Sequence, residues 1–179
     1  VIANVAGFYT LIDDAQIMVK DASSMPIFKN ASKACTAGVE AEVLARFMKG
    51  LEIRGSFGYL FSEITEHETS SYEGNKLPFT PEYEANLAIQ YVTPLQIFIR
   101  AEGSWKGKSY FDESNTYKQS SFMLLNARVG YKTEQFNFSF FMNNILDKEY
   151  YTIAVAHAGM EYRGLGAPRT FGGQATITF

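Results

Sequence analysis

Ala37-Gly38-Val39-Glu40-Ala41-Glu42-Val43-Leu44-Ala45-Arg46-Phe47-Met48 is the stretch whose reading decides the fold. Ala37, Val39, Ala41, Val43, Ala45 and Phe47 share one parity. Glu40, Glu42 and Arg46 share the other. A helix groups apolar residues at spacings of three and four, whereas a spacing of two gives a strand with one apolar and one polar face. The pattern continues immediately. Leu51, Ile53, Gly55, Phe57, Tyr59 and Phe61 alternate with Glu52, Arg54, Ser56, Gly58 and Ser62. It returns in Tyr83–Tyr91, Leu95–Glu102, Met123–Tyr131, Phe136–Asn143 and Thr170–Phe179. Val1–Ile12 is apolar on both faces and reads as a further strand. The fold class is therefore all-β and antiparallel, with about eight strands of roughly ten residues, the length that crosses a bilayer obliquely.

Composition narrows the setting. The chain has 179 residues, 15% of them aromatic, with a formal net charge of −3. A nucleic-acid partner would favour a basic chain, so none is expected. The lone cysteine, Cys35, excludes an internal disulfide and a metal site built on several thiolates. No apolar run approaches the ~18 residues of a membrane helix. Abundant aromatics without such a helix fit either a water-soluble β-protein or a membrane barrel whose strands present a polar face to the lumen.

Loop lengths favour the barrel. Short turns fall at 48–50, 92–94 and 132–135. Long polar connections fall at 13–36, 62–81, 107–120 and 147–168. All long connections then lie at one end of an up-and-down sheet, as in outer-membrane barrels. Tyr9, Tyr59, Tyr83, Tyr91, Trp105, Tyr110, Tyr131, Tyr150 and Tyr151 gather near strand ends, where amphipathic rings meet the membrane–water boundary. Gly50 in a left-handed turn would set Arg46 opposite Glu52. A three-residue turn at Val92-Thr93-Pro94 would set Asn86 opposite Arg100 and Glu84 opposite Glu102, two acids that repel. The chain begins at Val1 inside a strand, so it reads as a processed product or a piece of something longer.

Four motifs carry a family resemblance. Asn143-Asn144-Ile145-Leu146-Asp147-Lys148-Glu149-Tyr150-Tyr151 resembles a segment near the C-terminus of TonB-dependent outer-membrane receptors. Gly166-Ala167-Pro168-Arg169-Thr170-Phe171, running on to Phe179, resembles that family's last strand. Thr36–Glu42 resembles its Gly-x-Glu-x-Glu strand, and Leu77-Pro78-Phe79-Thr80-Pro81 resembles the Leu-Pro-x-x-Pro that leads into a later one. The motifs stand in the family's order. The resemblance implies that residues 1–179 are the C-terminal portion of a barrel of about 22 strands. In the whole receptor a plug domain fills the barrel. Residues 1–179 contain neither the plug nor the TonB box. The implied setting is the outer membrane of a Gram-negative bacterium. The implied activity is TonB-energised uptake of a scarce nutrient such as a ferric siderophore, haem or cobalamin.

The implied partners are outer-membrane lipid, the plug and remaining strands, the TonB complex, and a small-molecule or metal-chelate ligand. No cofactor is expected. Lumen charges Glu40, Glu42, Arg46, Glu52, Arg54, Arg100 and Arg128 are expected to face the plug. Tyr72, Tyr110, Phe111, Tyr117, Tyr162 and Arg163 are candidates for an external ligand vestibule. Asn144, Asp147, Tyr150, Pro168, Arg169 and Phe179 carry the family motif. Asn144 and Asp147 suit local backbone bonds where a strand leaves the sheet, and Pro168, without an amide donor, suits a strand's first residues.

Two loop groups hold metal-ligating types: Glu63, Glu66, His67 and Glu68, and His157, Met160 and Glu161. Carboxylate with imidazole can bind divalent cations, with Glu63 and His67 the weak candidates, but solvated loop charges explain both groups more simply, so no metal site is expected. No nucleophile motif accompanies either histidine, so no enzyme is expected. Two alternatives stand beside the receptor reading. One is a complete eight-stranded outer-membrane barrel with a structural or adhesive role. The other is a soluble β-barrel that binds a small apolar ligand.

Overall fold

The computed structural model describes residues 1–20, 26–67, 70–157 and 160–178. Its strands are β1 (Ile2–Lys20), β2 (Pro26–Met48), β3 (Leu51–His67), β4 (Tyr83–Val92), β5 (Ile97–Lys106), β6 (Ser109–Tyr110), β7 (Lys118–Gln119), β8 (Phe122–Lys132), β9 (Phe136–Asn143), β10 (Tyr151–His157), β11 (Met160–Leu165) and β12 (Thr170–Ile177). Eight of them form one antiparallel sheet in the order β1-β2-β3-β4-β5-β8-β9-β12. Each strand pairs with the next in the chain, apart from two hairpins, β6–β7 and β10–β11, inserted in the long connections. Phe179 and Glu68 lie outside the described residues, as does the side chain of His157.

The register carries one apolar face across the whole sheet. Directly opposed residues share a face. Val43 opposes Gly55, Leu87 opposes Gly55 and Gly103, and Ala127 opposes Ala101. Odd-numbered residues therefore make the apolar face from β1 to β8. On β9 the parity changes, because Ala127 opposes Met142, so Phe136, Phe138 and Phe140 join that face. Phe171 opposite Met142 carries it onto β12. The other face holds Glu42, Arg54, Asn86, Arg100 and Arg128.

Burial disfavours a soluble domain. Among the described residues only Ala34, Ala45, Ile64, Phe111 and Ala154 are buried hydrophobics, and Val39, Phe57, Leu87, Ile99, Val129 and Phe140 stand exposed. A single layer this apolar in water would be an aggregating surface, whereas in a bilayer it is the solvated one. Tyr83 and Tyr91 bracket the apolar face of β4, eight residues apart. That is about 27 Å along the strand, or about 21 Å along the membrane normal at a ~40° tilt. The apolar band of such barrels is ~25 Å tall.

Two turn readings meet different outcomes. Lys49 and Gly50 make the β2–β3 turn, with Gly50 at φ +86°, and a Cβ there would lie 2.2 Å from the Val92 carbonyl oxygen. Arg46 Nη2 reaches Glu52 Oε2 at 2.7 Å, as the register reading requires. The β4–β5 turn differs from expectation. Gln96 N–H donates to the Thr93 carbonyl, and Gln96 adopts φ +65°. Pro94 thus opens a longer turn, closed where Val92 opposes Phe98. The ladder slips by four residues. Asn86 faces Ser104 rather than Arg100, and Glu84 faces Lys106 rather than Glu102. The expected clash of acids does not occur, since Glu84 and Lys106 form an ion pair at 3.1 Å. A slip of four preserves parity, so the faces stand.

The long connections are more ordered than their polarity suggests. The segment read as a loop from Asp13 is mostly strand. β1 absorbs the Asp13-Asp14 pair as a bulge, with Asp14 at φ +55°, and continues to Lys20. Asp tolerates this left-handed conformation, so two acids do not end the strand.

Candidate functional site

The polar face is a wall of short side-chain ladders. Ser104 Oγ donates to Asn86 Oδ1 at 2.8 Å, and Asn86 Nδ2 donates to Ser56 Oγ at 3.3 Å, linking three strands. Glu52 is held between Arg46 and Arg54, each 2.7 Å away. Arg100 engages Glu102 on its own strand. Glu40 and Glu42, on β2, complete this face. All seven charges expected on the polar side are on it.

The opposite end of β3 enters a loop cluster. His67 Nε2 lies 3.3 Å from Glu113 Oε2, and both side chains are almost fully buried. The His67 ring packs against Tyr72 at 5.0 Å, in a 3-10 turn at Ser70–Tyr72. Burial pushes the Glu113 carboxyl above its ordinary range, opposed by its hydrogen bond to His67. Asn115 exchanges two bonds with the Lys76 backbone: Lys76 N–H donates to Oδ1 at 2.8 Å, and Nδ2 donates to the Lys76 carbonyl at 2.9 Å. Asn75 Nδ2 donates to the Glu113 carbonyl at 2.8 Å. Asp112 accepts the Thr116 and Tyr117 amides, shaping the turn between β6 and β7. Phe111 packs on Phe79 at 5.7 Å.

Of the candidate vestibule residues, Tyr72, Tyr110, Phe111 and Tyr117 fall in or beside this cluster. Phe79 N–H donates to the Tyr110 carbonyl, and Phe111 N–H to that of Tyr117. Phe111 is buried, so its role is packing rather than open contact. Tyr162 and Arg163 lie on β11, in the separate β10–β11 hairpin. There Arg163 sits 4.7 Å over the Tyr151 ring and pairs with Glu161 at 2.6 Å. Gln119 Oε1 accepts the Tyr151 amide at 2.7 Å, tying the two hairpins together.

Glu63 and His67 do not converge. Glu63 opposes Cys35 on β2, while His67 is engaged by Glu113 and Tyr72. Among the described residues no three His, Cys, Asp or Glu side chains gather closely enough to hold a metal ion. Sequence reading missed Asn75, Asp112, Glu113, Asn115 and Gln119. Of these only Asp112 carries a local signal, an acid positioned to cap the amides that follow it.

The motif after β9 builds a corner. Asn144 is 4% exposed, at φ +48°. Its Oδ1 accepts the Lys148 amide at 2.8 Å. Its Nδ2 donates to the carbonyls of Lys148 at 3.0 Å and Ala167 at 3.1 Å. Its own amide donates to Asn126 Oδ1 at 2.9 Å. Asp147 accepts the Arg169 amide at 3.0 Å and pairs with its guanidinium at 3.2 Å. Tyr150 stacks on Phe122 at 4.7 Å and covers Gly166, where a Cβ would meet the ring. Pro168 stands just ahead of β12. The corner lets the chain leave the sheet for the β10–β11 hairpin and return in register.

A one-layer antiparallel sheet with a membrane-height apolar face, a charged opposite face and structured loops at one end defines a class, the wall of a transmembrane β-barrel. The family described as TonB dependent receptor-like, beta-barrel matches residues 1–145, and the chain belongs to it. Members are outer-membrane barrels of Gram-negative bacteria and serve as transport receptors, and this sheet is a partial barrel in that membrane. The chain is 29% identical over 178 residues to the pesticin receptor of Yersinia pestis, covering 97% of this chain and 26% of the relative. It is 30% identical over 122 residues to the ferrichrome outer membrane transporter/phage receptor of Escherichia coli K12, covering 63% of this chain and 16% of that one. The crystal structure of the ferric yersiniabactin uptake receptor of Yersinia pestis superposes with a TM-score of 0.87 at 28% identity, covering 99% of this chain and 27% of that one. The chain thus spans about a quarter of the length of the two Yersinia proteins.

Proposed function

We propose that this chain is the C-terminal portion of the barrel of an active importer of ferric siderophores, energised through TonB. The carrying observation is the open sheet. Among the described residues β1 and β12 each have one neighbouring strand. A complete eight-stranded barrel would pair these edges with each other, since exposed edges invite aberrant pairing. Further strands, toward about 22, would close the wall around a plugged lumen. The exposed apolar face disfavours the soluble alternative. The ferric and siderophore specificities named for the similar proteins support the substrate class.

In this reading the chain does two jobs. Its apolar face contacts outer-membrane lipid, and its polar face, including Glu40, Glu42, Arg46, Glu52, Arg54, Arg100 and Arg128, contacts the plug. The loop cluster and the β10–β11 hairpin present Tyr72, Tyr110, Tyr117, Tyr162 and Arg163 to an incoming iron chelate. Phe111 supports them from beneath. Rings and guanidinium suit an aromatic or anionic chelate. The chain performs no catalysis and holds no resident cofactor; the iron is cargo.

The test is uptake of ⁵⁵Fe-loaded siderophores, presented as a panel, by cells with and without the gene encoding this segment. Loss of uptake of at least one chelate on deletion, and equally on loss of TonB, is expected. Unchanged uptake of the whole panel would reject the proposal.

A further inference from the structure

We propose that Lys76 and Phe61 form a docking site, on the lipid-facing side of the sheet, for the phosphate of an outer-leaflet lipid. The inference goes beyond import and needs only the membrane setting. Phe61 opposes Ala37 on β2, in the row that runs on through Val39 opposite Tyr59 and Val43 opposite Gly55. It therefore belongs to the apolar face, and its ring is exposed there. The Lys76 ammonium lies over that ring, 3.9 Å from its centroid. Such a contact is favourable but neutralises no charge. No carboxylate among the described residues pairs with Lys76, and this includes Glu63, two residues beyond Phe61 and of the same parity. By contrast Lys33, Lys106 and Lys108, at the same end of the sheet, each hold a glutamate within 3.2 Å.

The backbone beneath the ammonium fixes its position. Asn115 clamps both polar groups of the Lys76 backbone, accepting the N–H at 2.8 Å and donating to the carbonyl at 2.9 Å. Leu77 N–H donates to Ser62 Oγ at 3.3 Å, and the Asn75 carbonyl accepts the Ile64 amide at 2.8 Å. Residues 75–77 are thus strapped along the outer end of β3, with Lys76 reaching over Phe61. Backbone order and ring contact together preorganise the ammonium for a ligand.

Height and side select the occupant. Tyr59 opposes Tyr83, the ring at the outer edge of the apolar band. Phe61 lies two residues further toward the long loops. That is about 7 Å along the strand, or about 5 Å along the membrane normal at a ~40° tilt. The ammonium therefore sits at headgroup level, just outside the aromatic girdle. A cation there attracts an anionic headgroup, and its N–H donors suit phosphate oxygens. The exposed ring suits the apolar part of the same molecule. A free phosphate gains nothing from that ring, whereas a lipid engages ring and ammonium together.

Amine footprinting of the full-length protein tests the site. The protein is held in nanodiscs containing lipid A, either bisphosphorylated or dephosphorylated, and treated with a water-soluble acylating reagent, with modification read peptide by peptide. The expected result is about fivefold slower acylation of Lys76 with the phosphorylated lipid, equal to about 1 kcal/mol. Lys118, exposed on β7 at the same end, reports the general negative potential of the surface and should slow far less. Phe61→Leu keeps an apolar side chain without the aromatic ring and should weaken the Lys76 protection about twofold. Equal rates at Lys76 in the two lipids, or slowing no greater than at Lys118, would overturn the site. Unchanged protection in Phe61→Leu would do the same. Protection by inorganic phosphate in the dephosphorylated nanodiscs, equal to that by the phosphorylated lipid, would overturn the lipid in favour of a free anion. The parent chain alone carries the lipid comparison, so a Phe61→Leu protein that fails to insert leaves the test intact.

Discussion

Replacing Asn144 with alanine is expected to open the corner between β9 and β12 while leaving the sheet standing. The side chain makes three hydrogen bonds, one accepted from the Lys148 amide and two donated to the Lys148 and Ala167 carbonyls. At about 1 kcal/mol net each, their loss costs about 3 kcal/mol. Asn144 also holds φ +48°, which alanine adopts at a further ~1 kcal/mol. A total of about 4 kcal/mol corresponds to roughly a thousandfold faster local opening. Hydrogen exchange at the Lys148 and Arg169 amides reads that opening directly, because Asn144 and Asp147 accept those N–H groups. Asn144→Gly isolates the backbone component. Glycine loses the same bonds without the left-handed cost and should exchange about a hundredfold faster than the parent, short of alanine. If both variants stay within about threefold of the parent, the corner is not held by this side chain and the reasoning fails.

Three further outcomes follow from the geometry. Glu113 has a raised pKa in the folded loop, so its contribution to stability is full below the ordinary 4.5 and is lost as pH rises through the folded value. Amides at Asn75 and Lys76 should therefore be better protected at pH 5 than at pH 8, after correction for intrinsic exchange, and Glu113→Gln should flatten that dependence. Gly50→Ala combines a positive φ with a Cβ 2.2 Å from a backbone oxygen. It should cost about 2 kcal/mol or more, seen as reduced recovery of heat-modifiable barrel on a gel. The β4–β5 register predicts that Asn86→Cys with Ser104→Cys cross-links under oxidation. Asn86→Cys with Arg100→Cys should not, because four residues of offset put the pair about 14 Å apart, beyond the ~7 Å limit of a disulfide.

Alternation made most of the sheet legible. Glu40, Glu42 and Arg46 against Val39, Val43 and Phe47 name the two faces by themselves, because a half-buried strand has a period of two whatever surrounds it. Gly50 was readable for a similar reason, since a left-handed turn selects glycine. Gln96 was not. It takes the same kind of backbone position without the glycine signal, and the β4–β5 register was misplaced by four residues. Asp13-Asp14 misled in the opposite direction, where a bulge carried through what looked like a strand end. The loop cluster was largely closed to sequence reading. Lys76 and Asn115 meet across 39 residues, and His67 and Glu113 across 46. Neither pair lies at a spacing that local periodicity marks. The corner at Asn144 and Asp147 was legible as a motif, but its long bonds to Ala167 and Arg169 were not.

The central claim is that the apolar face of this sheet, which carries the odd-numbered residues of β4, touches lipid and the opposite face lines the lumen. Nitroxide labels placed singly at residues 85 to 90 of β4, in the full-length protein in bilayers, test it by collision with oxygen and with a water-soluble nickel chelate. The account predicts a period of two, with oxygen accessibility highest at Ala85, Leu87 and Ile89 and lowest at Asn86, Ala88 and Gln90. A profile without alternation, or one in which Leu87 collides with the nickel chelate as readily as a loop residue, would contradict it.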